Sequence, residues 1–222
     1  MADESRELRD THPMAMKISD RSSWPVVVTP YNGSVSQRLA ASRRKKLQQH
    51  VAKVAAAVRT HLDAVAAGVE AAKPAPERSA PFADEVGAVL VQACIGCRGH
   101  CCRQGGDHAF ISFDTIMHFM QNNPHHSVQE VVDAYVERLP RRSIRSGCVF
   151  QHVHGCTLPR DMRADLCNRY YCGALSEFRH AVDAGASPRA FFVPSNNETF
   201  DRGIFASPGL VQIVRAPRAA KK

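Results

Sequence analysis

Cysteine is the residue type whose number and spacing point to chemistry in this chain. The eight cysteines form two groups of four, Cys94, Cys97, Cys101 and Cys102, then Cys148, Cys156, Cys167 and Cys172. No cysteine lies outside positions 94–172. Cysteines that served only packing would be scattered through a core, so the grouping predicts a shared chemical role with all eight as metal ligands.

The first group, CIGCRGHCC at 94–102, opens with a Cys-x-x-Cys spacing, which brings two sulfurs close together. Zinc takes four ligands in a tetrahedron, and iron–sulfur clusters are held by four thiolates, so both fit the cysteine inventory. We favour an iron–sulfur cluster because every ligand would be a thiolate and because aromatic residues that suit a sheltered cluster lie near the cysteines in the sequence. These aromatic residues are Phe110, Phe113, Phe150, Tyr170 and Tyr171.

The adjacent pair Cys101 and Cys102 adds a geometric constraint. Neighbouring side chains point to opposite faces of a strand and lie about 100° apart on a helix, so these two thiols cannot easily bind the same small ion. We therefore expect one of them to face the second group, with the site or sites built jointly from both groups and residues 103–147 covering them. The alternative is two self-contained four-cysteine sites in series.

Histidines and arginines accompany the cysteines. Imidazole is a common zinc ligand, so four histidines near the cysteines are further candidate ligands, namely His100, His108, His152 and His154. None of them is required, because the eight thiols already supply enough ligands. Five arginines lie in the same region, namely Arg98, Arg103, Arg160, Arg163 and Arg169. Their guanidinium groups would stabilise thiolates and lower thiol pKa values. The alternative is that they serve only solubility. Among them, Arg163 is the one for which we predict a structural role.

Whether cysteines form disulfides or remain free to bind metal depends on the cellular compartment of the protein. The N-terminus, MADESRELRD, is charged from its third residue and lacks the order of a secretion signal, and no apolar run approaches the roughly 20 residues that cross a bilayer. These features predict a cytoplasmic protein with no membrane span. A reducing cytosol disfavours stable disulfides and leaves thiols free for metal.

The chain is basic, with 29 lysines and arginines against 21 aspartates and glutamates and a formal net charge of +8. This excess is compatible with nucleic acid or an acidic protein as partner, bound through the basic run 43–46 and the tail residues Arg215, Arg218, Lys221 and Lys222. Metal-bound cysteines are thiolates, however, and would balance much of the positive charge. The simpler interpretation of 43–46 is a solvated face on a helix that packs against the domain or a second copy.

Hydrophobic patterning divides the chain into a loose N-terminal arm (1–33), one long amphipathic helix (34–73), a proline-rich linker (74–81), the cysteine domain (82–184), and short strands with a basic tail (185–222). Within the cysteine domain, helices are predicted over 82–93, 112–122, 127–139 and 172–184. Ser127 and Glu130 have the spacing of a capping box. The predicted fold is mainly α, an irregular metal-centred domain with a few short strands, including one at 24–28 and the pieces AFFV and LVQIV.

The first group and the stretch GCVFQHVHGCTLPRDMRADLCNRYYC at 147–172 resemble a bacterial cysteine-cluster family known by a Cys-x-x-Cys-x-x-Cys-Cys signature and described as a zinc- or iron-chelating domain. The matching positions of the second group are Cys148, Phe150, Gly155, Cys156, Arg163, Cys167, Tyr171 and Cys172. The resemblance covers 94–172, about a third of the chain. It departs at Ala164, where proline is usual, and at Asn168, where arginine often stands.

The resemblance implies metal binding through the eight cysteines. Many family members are described as iron–sulfur proteins or oxidoreductases of unknown substrate, and the same domain occurs in flagellin lysine N-methylases. This chain lacks a glycine-rich loop that would bind adenosyl-methionine, since Gly105 and Gly106 alone are weak evidence of one. A methylase-like enzyme is therefore a minor alternative.

Three function classes follow from the sequence. The leading hypothesis is an iron–sulfur or zinc protein with a redox role on an unknown substrate. The second is a zinc-stabilised module that binds nucleic acid or an acidic protein through its basic helix and tail. The third is an enzyme of thiol exchange, with Cys94 and Cys97 as its reactive pair.

Overall fold

The computed structural model describes residues 23–73, 84–196 and 202–215. Six α-helices lie within these residues: α1 (Ala41–Ala66), α2 (Glu85–Gly96), α3 (Phe113–Asn122), α4 (Val128–Glu137), α5 (Asp165–Arg169) and α6 (Gly173–Asp183). The strands there are β1 (Val26–Pro30), β2 (Ser36–Arg38), β3 (Arg142–Ile144), β4 (Gln151–His152), β5 (Gly155–Cys156), β6 (Ala190–Ser195), β7 (Arg202–Ser207) and β8 (Leu210–Arg215). Short 3-10 helices occupy Cys101–Gly105 and Arg160–Met162.

Side-chain caps fix where the central helices begin. Ser127 and Glu130 form the predicted capping box at the start of α4, and Ser112 caps α3 together with Thr115. At the start of α2, a carboxylate oxygen of Asp84 accepts a hydrogen bond from the Gly87 amide at 2.6 Å. These caps place the helices that flank both cysteine groups.

The helices α1, α3 and α4 share one hydrophobic core. Apolar residues of α1 at helical spacing are fully buried against α3 and α4, namely Leu47, Val51, Ala55 and Val58. Val149, Phe150 and Leu158 extend this core into the second cysteine region, where Cys148 and Cys156 pack against it. We call it the helical core.

A second core lies under a four-stranded mixed sheet of order β1-β6-β7-β8. β1 runs parallel to β6, whereas β7 is antiparallel to both β6 and β8. Side chains of α2 and α6 cover one face of the sheet and bury Leu90, Phe178, Phe192 and Ile204. Cys94 and Cys172 pack against this sheet core.

The structure confirms the predicted fold class only in part. The protein is not purely α, because the four-stranded mixed sheet stands beside the helices. The 24–28 strand, AFFV and LVQIV correspond to β1, β6 and β8, but β7 was not predicted. Its sequence, RGIFAS, contains one β-branched residue, and it forms a strand because it pairs on both sides.

The predicted helix over 34–73 is wrong at both ends, since the helix in this range is Ala41–Ala66. Ser36–Arg38 pairs instead with β3, and the Arg142 guanidinium donates to the Ser36 carbonyl at 2.5 Å. After α1, Gly68 takes a left-handed conformation (φ 71°) that ends the helix.

Several predictions fall outside the described residues: the N-terminal arm before residue 23, the linker 74–81, and the tail residues Arg218, Lys221 and Lys222. Of the helices that the structure describes, none is both long and apolar enough to cross a membrane.

Gly96, the last residue of α2, lies very close to the sheet. A β-carbon at this position would stand 2.0 Å from Cδ1 of Ile204 on β7. The absence of a side chain at Gly96 therefore sets how near the end of α2, and with it Cys97, comes to the sheet.

We predict that Gly96→Ala lowers the free energy of unfolding by about 1 to 3 kcal/mol, because the added methyl group overpacks the sheet core. Gly173→Ala is the matched control, since a β-carbon there meets nothing within 4 Å and should leave stability nearly unchanged. Urea unfolding followed by circular dichroism measures both. Equal stability of the two variants would contradict the close packing at Gly96.

Candidate metal centre

Different elements deliver the eight cysteines. Cys94 lies in the last turn of α2 and Cys97 directly follows that helix, while Cys101 and Cys102 open the 3-10 helix. The second group comes from the turn after β3 (Cys148), from β5 (Cys156), from α5 (Cys167) and from the residue that precedes α6 (Cys172). Seven of the eight are buried or half-buried, and Cys167 is exposed.

The two sequence groups meet in space at Gly105 and Cys148. A β-carbon on Gly105 would lie 3.2 Å from both Cβ and Sγ of Cys148. The Val149 amide donates to the Gly106 carbonyl at 2.9 Å, which joins the backbones of the two groups. Residues far apart in sequence thus form one thiol-rich region, as the adjacent cysteine pair predicts.

Electrostatic neighbours divide the thiols into two sets of four. Cys94 is close enough to feel the charge of Cys97, Cys101 and Cys172. Cys102 instead neighbours Cys148 and Cys156, and Cys148 also neighbours Cys167. The first set is Cys94, Cys97, Cys101 and Cys172, and the second set is Cys102, Cys148, Cys156 and Cys167.

The sets touch through Cys101, which lies next to Cys102 and also acts on Cys167. The Cys102 thiol donates a hydrogen bond to the Cys101 sulfur. This bond is the main reason why the pKa of Cys101 is lowered and why that of Cys102 rises. Each set draws cysteines from both sequence groups, with three from one group and one from the other.

Burial raises the pKa of most other thiols, because a thiolate loses its hydration inside the protein. The pKa is about 11 for Cys97, about 12 for Cys148, and well above its ordinary value for Cys94. Cys167 is exposed by its surface area, yet partial loss of hydration and the charge of Cys156 also raise its pKa, to about 11. Like charges from neighbouring thiols add to this effect. At neutral pH these four groups are therefore protonated in the metal-free protein, and a metal must displace their protons on binding.

All eight cysteines line one or both of two neighbouring cavities. The larger, about 930 Å³, is lined by the whole first set together with Cys102 and Cys167. The smaller, about 220 Å³, is lined by every cysteine except Cys172. Among the described residues, no three side chains of His, Cys, Asp or Glu already stand in a group that would hold a metal ion.

Three arginines act on the thiols and lower their pKa values. Arg160 acts on Cys94, and Arg163 acts on Cys167. Arg163 also donates to the Leu158 carbonyl at 2.7 Å, which agrees with the structural role predicted for it.

The third arginine, Arg43 of α1, was not predicted as a site residue. It donates to the Gly147 carbonyl at 2.6 Å and to the Gly106 carbonyl at 3.3 Å, and its charge acts on Cys148. It also forms an ion pair with Asp107. In the sequence it belongs to a basic run, and only the fold shows that it points inward.

The remaining predicted arginines have other surroundings. Arg98 donates to the Tyr31 hydroxyl at 3.2 Å, and Arg169 pairs with Asp165 at 2.9 Å. Arg103 is exposed and lines the larger cavity.

Of the four candidate histidines, His100 lines the larger cavity and His154 lines the smaller one. The His152 ring lies 5.1 Å from that of His154. His108 accepts a hydrogen bond from the Phe110 amide and contacts the ring of His50. Neither His108 nor His152 lines these two cavities.

Four of the five aromatic residues predicted to cover the thiols lie beside them. Phe110 and Tyr170 line both cavities, and Phe150 lines the smaller one. Tyr171 is close enough to Cys94 for the charge of that cysteine to act on it. Phe113, by contrast, contacts His61 of α1.

The chain matches no protein-family model, and it is similar to no curated protein and to no solved structure. The resemblance to the cysteine-cluster family therefore rests on the sequence motifs alone. One spacing departs from the family signature, because three residues separate Cys97 from Cys101 where the signature has two.

In the metal-free protein we predict that iodoacetamide at pH 8 labels Cys101 before Cys97, Cys148 and Cys167. The hydrogen bond from Cys102 lowers the pKa of Cys101, so that Cys101 carries more thiolate than the other three, whereas a thiol of pKa about 11 is ionised in only about one molecule in a thousand. Mass spectrometry of peptides after brief labelling measures the order. Labelling of Cys101 should fall as the pH drops and should slow in Cys102→Ala, which lacks the donor. Uniform labelling of these cysteines would be the contrary result.

Proposed function

We propose that this chain is a metal-binding protein whose eight cysteines hold two metal centres, iron–sulfur clusters in the favoured version and zinc in the alternative. The observation that carries the proposal is that all eight cysteines line two neighbouring cavities, and the charges that act on the thiols relate them as two sets of four that touch at Cys101. Four thiolates are the ligand set of the common iron–sulfur clusters and of structural zinc. The first and second sets would each hold one centre.

The surroundings of the thiols support this assignment. Soft sulfur ligands on walls made by two hydrophobic cores favour a cluster or zinc over hard cations, which prefer oxygen. Arg160, Arg163 and Arg43 lie near one or the other set and would offset the negative charge of bound thiolates. The site thus combines ligands, partial exclusion of water and charge compensation.

An iron–sulfur cluster would supply one-electron transfer, and zinc would supply structural stability. The chain itself contributes the thiolates, the guanidinium groups and the apolar cover. Tyr170, which lines both cavities, is 49% exposed, so one side of the region is open to an approaching partner. We therefore propose a redox role on a substrate that neither the sequence nor the fold identifies.

The other hypotheses have less support. Thiol exchange needs a low-pKa nucleophile, but burial raises the pKa of both its candidates, Cys94 and Cys97. A surface on α1 for nucleic acid or an acidic protein has fewer free charges than the sequence suggests. Arg43 makes contacts inside the protein, and Lys46 is partly neutralised by Asp107. A methylase-like activity rests on the motif resemblance alone.

The test is metal and sulfide analysis of protein purified without oxygen, together with its absorption spectrum. Iron with acid-labile sulfide and a broad brown absorbance would support the favoured version. A colourless protein with two zinc ions per chain would replace iron–sulfur by zinc and keep the two centres. A protein that keeps no metal and leaves its eight thiols open to alkylation would overturn the proposal.

Single substitutions test the division into two sets. We expect Cys172→Ser and Cys148→Ser each to lose about half of the bound metal, because each removes one ligand from a different set, and the double variant to lose nearly all. Circular dichroism controls for folding. If either single variant remained folded but lost all of its metal, the thiols would form one joint centre rather than two.

A further inference from the structure

Thr29 carries a buried hydroxyl group for which the described part of the chain provides no hydrogen-bond partner. The residue is 1% exposed. Leaving a buried hydroxyl unpaired costs free energy, because the group gives up its hydrogen bonds to water. Valine has almost the same shape and would avoid that cost, so the hydroxyl requires an explanation.

The position of Thr29 in β1 directs its side chain toward the sheet core, against which Cys94 and Cys172 of the first set also pack. Side chains alternate along a strand, and in β1 Val26 and Val28 are exposed while Val27 packs against the sheet core. Thr29 shares the inner face with Val27. This is the face of the sheet covered by α2, which carries Cys94, and by α6, which Cys172 precedes.

Two further contacts place β1 beside the first set. Thr29 lines the larger cavity together with all four cysteines of that set and with Cys102 and Cys167 of the second set. Just after the strand, the Asn32 amide donates to the Cys97 carbonyl at 2.9 Å, which holds the end of β1 against Cys97. Thr29, whose unpaired hydroxyl is buried, is therefore one of the residues in the wall of a cavity that six cysteines also line.

Sulfur in a metal centre is a hydrogen-bond acceptor, and hydrogen bonds to it tune both metal affinity and reduction potential. We propose that the Thr29 hydroxyl donates a hydrogen bond to a sulfur of the metal-loaded first set and thereby stabilises that centre and not the second one. The inference rests on the proposed function, because the acceptor is a metal-bound sulfur. It makes Thr29 a positioning and tuning residue, not a ligand.

The direction of the effect follows from charge. A donor stabilises the more negative, reduced state of a cluster, so its removal should lower the reduction potential of the first centre. A tenfold change in the reduction equilibrium corresponds to 59 mV for a one-electron couple. Loss of an outer-shell partner of a metal site typically weakens metal binding by about 10- to 100-fold.

The experiment compares metal-loaded wild type, Thr29→Val and Thr29→Ser, all as the full chain. The rate at which each protein releases its metal to an excess of chelator is measured. The metal is iron or zinc, whichever the purified protein contains. We expect Thr29→Val to release half of the metal at least about tenfold faster, with the other half unchanged, and Thr29→Ser to behave like wild type. If iron–sulfur clusters are present, one of two reduction potentials should also fall in Thr29→Val.

Ser143→Ala is the matched control, since the Ser143 hydroxyl is also fully buried and unpaired within the described chain but lines neither thiol cavity. It should release metal as wild type does. If wild type holds two centres and Thr29→Val releases both at wild-type rates, the inference on Thr29 fails while the proposed function stands. If wild type holds no metal, the proposed function itself fails, and the inference fails with it.

Discussion

The contact between Cys101 and Cys102 is the interaction on which the arrangement of the site depends. Successive side chains in the 3-10 helix point in different directions, and the charge of Cys101 acts on Cys94 and Cys172, whereas the charges of Cys148 and Cys156 act on Cys102. The first set is anchored on the sheet core through Cys94 and Cys172, and the second on the helical core through Cys148 and Cys156. The peptide bond between Cys101 and Cys102 thus links the cysteine set anchored on the sheet core to the set anchored on the helical core.

In this arrangement, burial affects the ionised and the protonated forms of the cysteines differently. Burying a thiolate is unfavourable, as the raised pKa values of the buried cysteines show, whereas burying a thiol is nearly neutral. The apolar cores therefore support a metal-free state in which most thiols are protonated. A bound cation would remove the electrostatic penalty, and the nearby guanidinium groups of Arg160, Arg163 and Arg43 would offset what remains. If the proposed metal centres form, metal binding would stabilise the fold through these same side chains.

Local sequence signals predicted part of this structure well. The box of Ser127 and Glu130 marked the start of α4, and the adjacent cysteines indicated that the two groups interlock. The sheet was underestimated because β7 depends on pairing with β6 and β8, which are set by tertiary contacts and not by its own residues. For the same reason nothing in the sequence indicated Arg43, which looks like part of a solvated basic run, or Thr29, which comes to the thiol-lined cavity only in the folded chain.

The parallel pairing of β1 with β6 has a consequence for how the protein is made. Val26 lies opposite Phe191, so the sheet core cannot close before about residue 195 has left the ribosome. Until then, all eight thiols are already synthesised, but the sheet core against which Cys94 and Cys172 pack is incomplete. Pairing over such a long separation is also slow compared with helix formation. The nascent chain therefore passes through a period in which its cysteines are exposed to oxygen and to any available metal, and early metal capture would protect them.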